Sequence, residues 1–311
     1  MAWNETTPTR GMPSSARFPG VGRNYVKTAA LMAFLIALLA IGGQMWGGYG
    51  GMLLFGGIGL VFNFVSYWFS DKMALAMHRA QEVTRDQLPE VYEIVERLTR
   101  KAGLPMPRVY LIPSETPNAF ATGRNPSHAA VAVTEGIVRM LDKRELEGVL
   151  AHELTHVRNR DILIATMAAA VAGLVASLGH VIQWGAMFGG MRSSDDDRSG
   201  GIIGTLAWAI LAPLLAMVIQ LAVSRSREYA ADAGGAELVG DPEPLASALL
   251  KLEAGNEARP YEYGGPATAH FFIVNPFSGV GGALMNLMST HPPIEERVAR
   301  LRAMKRGMRV A

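Results

Sequence analysis

The chain has 311 residues, which is enough for one or two domains. Half of its residues are hydrophobic, only 18% are charged, and the mean hydropathy is +0.18, a composition too apolar for an ordinary water-soluble protein. A net charge of +2 with no run of Lys and Arg gives no case for nucleic-acid binding, and the absence of Cys excludes a disulfide scaffold and a thiolate metal site.

Four apolar stretches are each long enough to cross a bilayer, which takes about 20 helical residues. They cover 28–46, 49–69, 162–188 and 202–223. A short uncharged Gly-rich turn joins the first two and a polar turn joins the last two, which predicts transmembrane hairpins over 28–70 and 162–223. The tail 1–27 is basic and rich in Thr, Pro, Ser and Gly, so we expect it to be disordered. A cleaved signal peptide would also begin this way, but the second apolar stretch follows at once.

Basic residues flank both hairpins on one side. They are Arg10, Arg17, Arg23, Lys27, Lys72, Arg79, Arg85, Arg158, Arg160, Arg225 and Arg227. Because basic flanks stay in the cytoplasm, we expect both termini and the segments 71–161 and 224–311 there, with the acidic turn after the third span outside. His180 lies inside the third span and is a functional candidate by default, although a structural or interfacial role fits it better than metal binding.

The stretch 81–104 has the pattern of a core helix. Its apolar residues Leu88, Val91, Ile94, Val95 and Leu98 fall on one side. We expect this helix to form part of the first cytoplasmic segment rather than to bind a partner.

The sequence VLAHELTHVRNRD places His152 and His156 four residues apart, with Glu153 between them. Residues at this spacing share one helical face, so both imidazoles can point at one ion. The pattern H-E-x-x-H is typical of zinc peptidases, in which the Glu is the general base. Apolar residues at helical spacing precede it, with Asp142 as a candidate N-cap. Because three fixed positions also occur by chance in helices, the interpretation needs a third ligand.

Glu228 is the candidate for that third ligand. It follows the fourth span by a few residues, just as His156 precedes the third, and an antiparallel hairpin would bring the two together. Glu228 would complete a His₂Glu site with an open position for water. Asp232 lies one turn further on the same face, where it can accept the second N–H of a zinc-binding His. The alternative is that Glu228 is a solvated acid paired with Arg225 or Arg227.

Taken together, HELTH, SRSREYAADAGG and the four spans resemble the HtpX-type membrane zinc endopeptidases, gluzincins related to the CAAX prenyl endopeptidases. PRVYLIPSETPNAFATG, HAAVAVTEGIVRML and THPPIEERVARL add to the resemblance, which covers nearly the whole chain from Thr28. It implies an integral membrane α+β protein with a mainly helical gluzincin-like peptidase domain that carries a small β-sheet. It also implies one Zn²⁺ per chain and a location in the plasma (inner) membrane with the active site in the cytoplasm.

The resemblance also implies roles for residues. His152, His156 and Glu228 would bind zinc, Glu153 would be the base, and His291 and Arg297 would be candidate donors to the oxyanion. The edge segment Asn118, Ala119, Phe120, Ala121, Thr122 and Gly123 would bind substrate through its backbone.

The implied function is quality control, in which misfolded or damaged membrane proteins are cleaved as part of a stress response. Protein or peptide substrates and the lipid bilayer are the expected partners, and nucleic acid is not. The alternatives are a prenyl-protein peptidase and a zinc-containing membrane scaffold or chaperone without activity. The His₂Glu set suits zinc best, although cobalt or manganese could occupy it in vitro.

Overall fold

The computed structural model describes residues 21–168, 171, 225–258, 271–273, 292–305 and 307. The described part is mainly helical with one small mixed sheet, as the sequence predicts. Most of the third predicted span and all of the fourth lie outside the described residues, as do His180 and His291.

The first predicted hairpin corresponds to helix α1, Val21–Met77, which folds back on itself at the non-helical residues Gly47 and Gly48. Its two arms, Asn24–Met45 and Gly47–Met77, are long and apolar enough to cross a membrane. Near the bend the arms touch, since a Cβ atom on Gly43 would lie only 2.3 Å from the carbonyl oxygen of Gly51. Small residues at such crossings are typical of membrane helices.

The second arm has the surface expected of a lipid-facing helix. Large apolar side chains on it are exposed, among them Leu53, Leu54, Val61 and Phe64. Further along the chain come Trp68 and Phe69, and then Asp71 and Lys72. Aromatic residues followed by charges are usual at the boundary between lipid and water.

Two predicted boundaries were wrong. The tail was expected to extend to residue 27, but the helix begins at Val21, because Asn24 and Thr28 are buried against the rest of the protein. The core helix predicted over 81–104 begins only at Pro89, a residue that fits the first turn of a helix but not its interior. The core character of this helix, α2 (Pro89–Ala102), is confirmed by the burial of Val91 and Ile94.

The sheet has four strands in the order β1-β2-β4-β3. The strands are β1 (Gln81–Glu82), β2 (Arg108–Ile112), β3 (Ala119–Gly123) and β4 (Ala129–Thr134). β4 pairs in parallel with β2 and antiparallel with β3, which leaves β3 as an edge strand. β4 is buried along its length and leads into α3 (Glu135–Met140), whose first turn is capped by the hydroxyl of Thr134.

The central helix is α4, Lys143–Asn159. Asp142 caps it in a capping box with Glu145, as the sequence predicted for the N-cap. Its fully buried side chains include Leu146, Leu150 and Leu154, and burial of each contributes about 1.5–3 kcal/mol to folding. A left-handed residue, Arg160, ends α4, and residues 161–168 then form a new helical segment.

Three further helices pack around α4. They are α5 (Arg225–Val239), α6 (Glu243–Ala258) and α7 (Ile294–Lys305). α5 and α6 contact α4 directly, and α7 packs on both of them. Their apolar side chains join those of α2 and the sheet in one core, which fixes the positions of α4 and α5 relative to each other.

Candidate metal centre

α4 places the two histidines of the H-E-x-x-H pattern in one cleft. His152 and Glu153 are buried, and His156 is only partly exposed. The imidazole rings stand nearly perpendicular, with their centroids 4.8 Å apart. Both Nε2 atoms therefore face the same point, as residues four apart on a helix can.

α5 supplies the third group because it lies very close to α4. A Cβ atom on Gly235 would be 2.9 Å from the backbone nitrogen of His152, so only glycine fits there without a shift. This contact brings Glu228, two turns earlier on α5, up to the two imidazoles. Its carboxylate oxygens lie 3.8 Å from Nε2 of His152 and 3.6 Å from Nε2 of His156.

The spacing of these atoms fits zinc. The two Nε2 atoms are 3.3 Å apart, and one ligand atom from each of the three residues lies within 4.8 Å of the others. Ligands at about 2.0–2.1 Å from a tetrahedral ion are about 3.4 Å from one another, close to the observed separations. Two imidazoles and one carboxylate suit zinc rather than calcium or magnesium, which prefer oxygen ligands. The residues present therefore fit the predicted ion.

Each histidine is held on its far side by a carboxylate. Nδ1 of His152 is 2.9 Å from Asp232, and Nδ1 of His156 is 3.1 Å from Asp161. A carboxylate at Nδ1 holds the proton there and leaves the Nε2 lone pair free for a metal. The contact of Asp232 is the one expected from the sequence, whereas Asp161 was not predicted.

Arg297 lies behind the metal position rather than in front of it. Its side chain is fully buried, and its Nε and Nη2 donate to the two oxygens of Asp232 at 2.8 and 2.6 Å. A third hydrogen bond goes to the carbonyl oxygen of Ile273. Arg297 does not line the cleft formed by the described residues. This position favours a role in holding Asp232 over the predicted donation to a substrate oxyanion.

The charges of the site favour a cation. Burial alone would raise the pKa of Asp232, but the charge and hydrogen bonds of Arg297, with the bond from His152, lower it to about 2. Burial would lower the pKa of His156, yet its bond to Asp161 and the nearby carboxylates raise that pKa to about 9. The raised value reports a surplus of negative charge around the imidazole, which a bound cation would neutralise.

Glu153 lines the same cleft as the two histidines. One of its oxygens accepts a hydrogen bond of 2.9 Å from the backbone N–H of Ala121, in the edge strand β3. Burial raises the pKa of Glu153. The walls of the cleft include Phe120, Ile162 and Phe272, so the site combines a polar floor with apolar sides.

The predicted substrate-binding segment lies beside this cleft. The N–H of Ala121 points at Glu153 and not at β4, so the outer side of β3 faces α4. The side chain of Asn118 has another task, because it donates to the carbonyl oxygen of Phe271 and accepts from the N–H of Ile273. Thr122 bonds to Thr166 in the helical segment after α4. β3 is thus fixed at both ends next to Glu153.

Asp161 is the clearest residue that the sequence analysis missed. In a continuous helix it would point about 140° away from His156. The left-handed turn at Arg160 redirects the chain and brings its carboxylate to the imidazole.

A chain with two histidines and a glutamate around an open position, and with a glutamate of H-E-x-x-H in the same cleft, has the site of a gluzincin metallopeptidase. Comparison with protein families matches Peptidase family M48 over residues 85–305. A "Protease HtpX homolog" of Desulforapulum autotrophicum is 55% identical over 282 residues, covering 90% of this chain and 89% of that protein.

Two archaeal proteins with the same description, from Thermococcus kodakarensis and Pyrococcus furiosus, are each 52% identical to the chain. The first match covers 91% of this chain and 97% of the relative, and the second covers 93% and 99%. The crystal structure of S. mikatae Ste24p is similar with a TM-score of 0.48 and 19% identity, over 90% of this chain and 66% of that one. The chain belongs to peptidase family M48 and is a membrane metalloendopeptidase, which confirms the predicted family and enzyme class.

Proposed function

We propose that the chain is a zinc-dependent endopeptidase that cleaves misfolded or damaged membrane proteins at the cytoplasmic face of the plasma (inner) membrane. The observation that carries the proposal is the cluster of His152, His156 and Glu228 beside Glu153 in one cleft. A zinc site with a purely structural role needs no base at that position. The position of Glu153 therefore favours the peptidase over the scaffold.

The membrane setting is supported by the level of the site along α1. The two arms run antiparallel: Asn63 of the second arm donates to the Met32 carbonyl of the first, and a Cβ on Gly59 would touch Ile36. Two residues that face each other across the arms therefore have numbers that add up to about 95. By this register Asn24 lies level with Asp71, at the boundary between lipid and water. Asn24 is bonded to Asp161, next to the metal position. A segment that enters or leaves the bilayer would thus meet the cleft directly.

In the proposed mechanism, zinc supplies a water of lowered pKa and polarises the scissile carbonyl when it is bound. Glu153 accepts the proton of the attacking water and delivers it to the leaving amine. The Ala121 N–H fixes the carboxylate in place for both transfers. Asp232 and Asp161 keep the two histidines in one tautomer, and Arg297 neutralises and orients Asp232.

The substrate backbone would lie along the outer edge of β3, between that strand and α4, and would pair with backbone groups other than the Ala121 N–H, which holds Glu153. Strand addition recognises the main chain, so it suits a peptidase that accepts many sequences. It also requires an extended segment, which a folded domain does not offer and a damaged one does. Apolar walls at Phe120, Ile162 and Phe272 would receive the side chains on either side of the scissile bond.

The test compares detergent-purified wild type with Glu153→Gln on an unfolded protein and on a membrane protein with a destabilised cytoplasmic segment. Purification under chelator prevents self-cleavage, and zinc is then restored and its content measured. Glu147→Gln is the matched control, because Glu147 lies on the same helix and pairs with Arg97 outside the cleft. We expect equal zinc in all three and a loss of turnover only in Glu153→Gln, by roughly a hundredfold to ten-thousandfold, as is typical of a lost acid–base group.

Two outcomes would change the assignment. If wild type binds zinc but cuts neither substrate, the scaffold becomes the better interpretation. Cleavage of a prenylated peptide alone would instead favour the prenyl-protein peptidase. Equal turnover in Glu153→Gln and wild type would remove Glu153 from the mechanism.

The orientation has its own test, since the chain contains no Cys. Single variants Glu90→Cys and Ser194→Cys place one thiol in the predicted cytoplasmic segment and one in the predicted external turn. In intact cells a membrane-impermeant maleimide should label only the second. Labelling of Glu90→Cys alone would reverse the proposed orientation.

A further inference from the structure

One side chain of the first membrane arm reaches both halves of the metal centre. Asn24 lies near the start of the arm and is buried, with 4% of its surface exposed. Its Nδ2 donates a 2.6 Å hydrogen bond to Oδ1 of Asp161, whose other oxygen holds His156. Its Oδ1 accepts a 3.3 Å bond from Arg227, the residue directly before Glu228.

We propose that Asn24 is a positioning residue of the metal centre, through which the first membrane arm sets the affinity of the site for zinc. The inference rests on the proposed zinc site. Asn24 touches neither the metal position nor the cleft, and it acts through Asp161 on one ligand and through Arg227 on the segment that carries another.

The chemistry of the amide explains why an asparagine suits this position. It is a donor at one end and an acceptor at the other, and here a carboxylate faces the donor while a guanidinium faces the acceptor. Because Asp161 is itself buried, loss of the donor would leave one of its oxygens without that bond and free the carboxylate to rotate away from His156. An aspartate at this position would place a second carboxylate against Asp161.

The arm also makes other contacts with the same region. Arg160, the left-handed residue that ends α4, donates to the hydroxyl of Tyr25 at 3.0 Å. This bond is solvent-exposed, whereas the one between Asn24 and Asp161 is buried. The buried bond is therefore the one expected to affect the site, since exposed hydrogen bonds compete with water.

The experiment measures zinc affinity, not proteolysis, by competition with a chelating dye on the full-length apo protein in detergent. The variants are Asn24→Ala, Asn24→Asp and Asp161→Ala, and the double variant Asn24→Ala/Asp161→Ala completes a cycle. Asn63→Ala is the control, because Asn63 is an equally buried asparagine of the same hairpin that bonds only far from the site. The melting temperature of each apo variant identifies any general loss of folding.

We expect Asn24→Ala to weaken zinc binding about tenfold, at the lower end of the 10–100-fold seen for residues that orient metal ligands. Asn24→Asp should weaken it at least as much, and Asn63→Ala should change it less than twofold. In the Asp161→Ala background the substitution at Asn24 should cost clearly less than tenfold, because the path through Asp161 to His156 is already broken and only the path through Arg227 remains.

Three results would overturn the inference while leaving the zinc site intact. The first is wild-type affinity in Asn24→Ala, and the second is a full tenfold effect of Asn24→Ala in the Asp161→Ala background. The third is a fall in melting temperature that is equal in Asn24→Ala and Asn63→Ala, with equal losses of affinity. If His156→Ala binds zinc as well as wild type, the proposed site itself is wrong, and the role of Asn24 with it.

Discussion

The ion pair of Asp232 and Arg297 gives the sharpest test of how the site is held together. Both side chains are buried, and two hydrogen bonds of 2.6 and 2.8 Å join them. Asp232→Ala leaves a guanidinium with no exposed surface, whose remaining hydrogen-bond partners are the Ile273 carbonyl and, at 3.5 Å, Nδ1 of His152. Breaking a buried pair in this way costs about 3–5 kcal/mol. For a domain of this size, 3 kcal/mol corresponds to a fall in melting temperature of roughly 6–12 °C.

The assay is thermal unfolding of the detergent-purified apo protein, followed by zinc titration. Asp232→Ala/Arg297→Met should recover most of the melting temperature, since no charge remains buried, but it should bind zinc 10–100-fold more weakly because His152 has lost its acceptor. Glu93→Ala, which removes exposed ion pairs only, should shift the melting temperature by less than 2 °C. A single variant within 2 °C of wild type, or a double variant less stable than the single one, would refute the reasoning.

Three further predictions concern packing, pH and metal. Gly235→Val puts a branched side chain against the backbone of His152, so melting temperature and zinc affinity should both fall, and unchanged affinity would contradict the close approach. Burial raises the pKa of Glu145, but hydrogen bonds, first that of Lys251, bring it below its usual value. The stability that this pairing contributes is present above about pH 4.3, the pKa of an unfolded glutamate, and is lost as the pH falls through the lower pKa of the folded state. The melting temperature of Glu145→Gln should therefore fall less steeply than that of wild type between pH 6 and pH 3. Zinc at 100 times its Kd should add about 2.7 kcal/mol of stability to wild type and none to His156→Ala, measured as melting temperature with and without chelator.

The parts of the site that the sequence predicted are those with a local pattern. His152, Glu153 and His156 follow from one helical period, whereas Glu228 was inferred from the expected antiparallel pairing of the third and fourth apolar spans. The contact of Asp161 with His156 and the pairing of Asp232 with Arg297 depend on contacts that no period contains. Arg297 was expected at the oxyanion, yet its burial behind His152 could be read only from the packing of α7 on α5.

The fold shows the same division. Helix α2, the edge strand β3 and the cap at Asp142 were predictable, because each has a pattern within about 15 residues. The start of α1 was not, since Val21–Lys27 is too polar to be recognised as a span and becomes helical while Asn24 is buried against the catalytic half. The turn at Arg160 was not predictable either, because arginine rarely adopts the left-handed conformation and no glycine or asparagine at this position indicates it.

The order of the ligands along the chain has a consequence for biosynthesis. His152 and His156 leave the ribosome first, Glu228 follows 72 residues after His156, and α7 with Arg297 is made later still. Neither the third ligand nor the residue that holds Asp232 exists while the earlier segments are being inserted into the bilayer. A nascent chain therefore has no complete His₂Glu set until Glu228 has been made, so the proposed peptidase activity would arise only after that point.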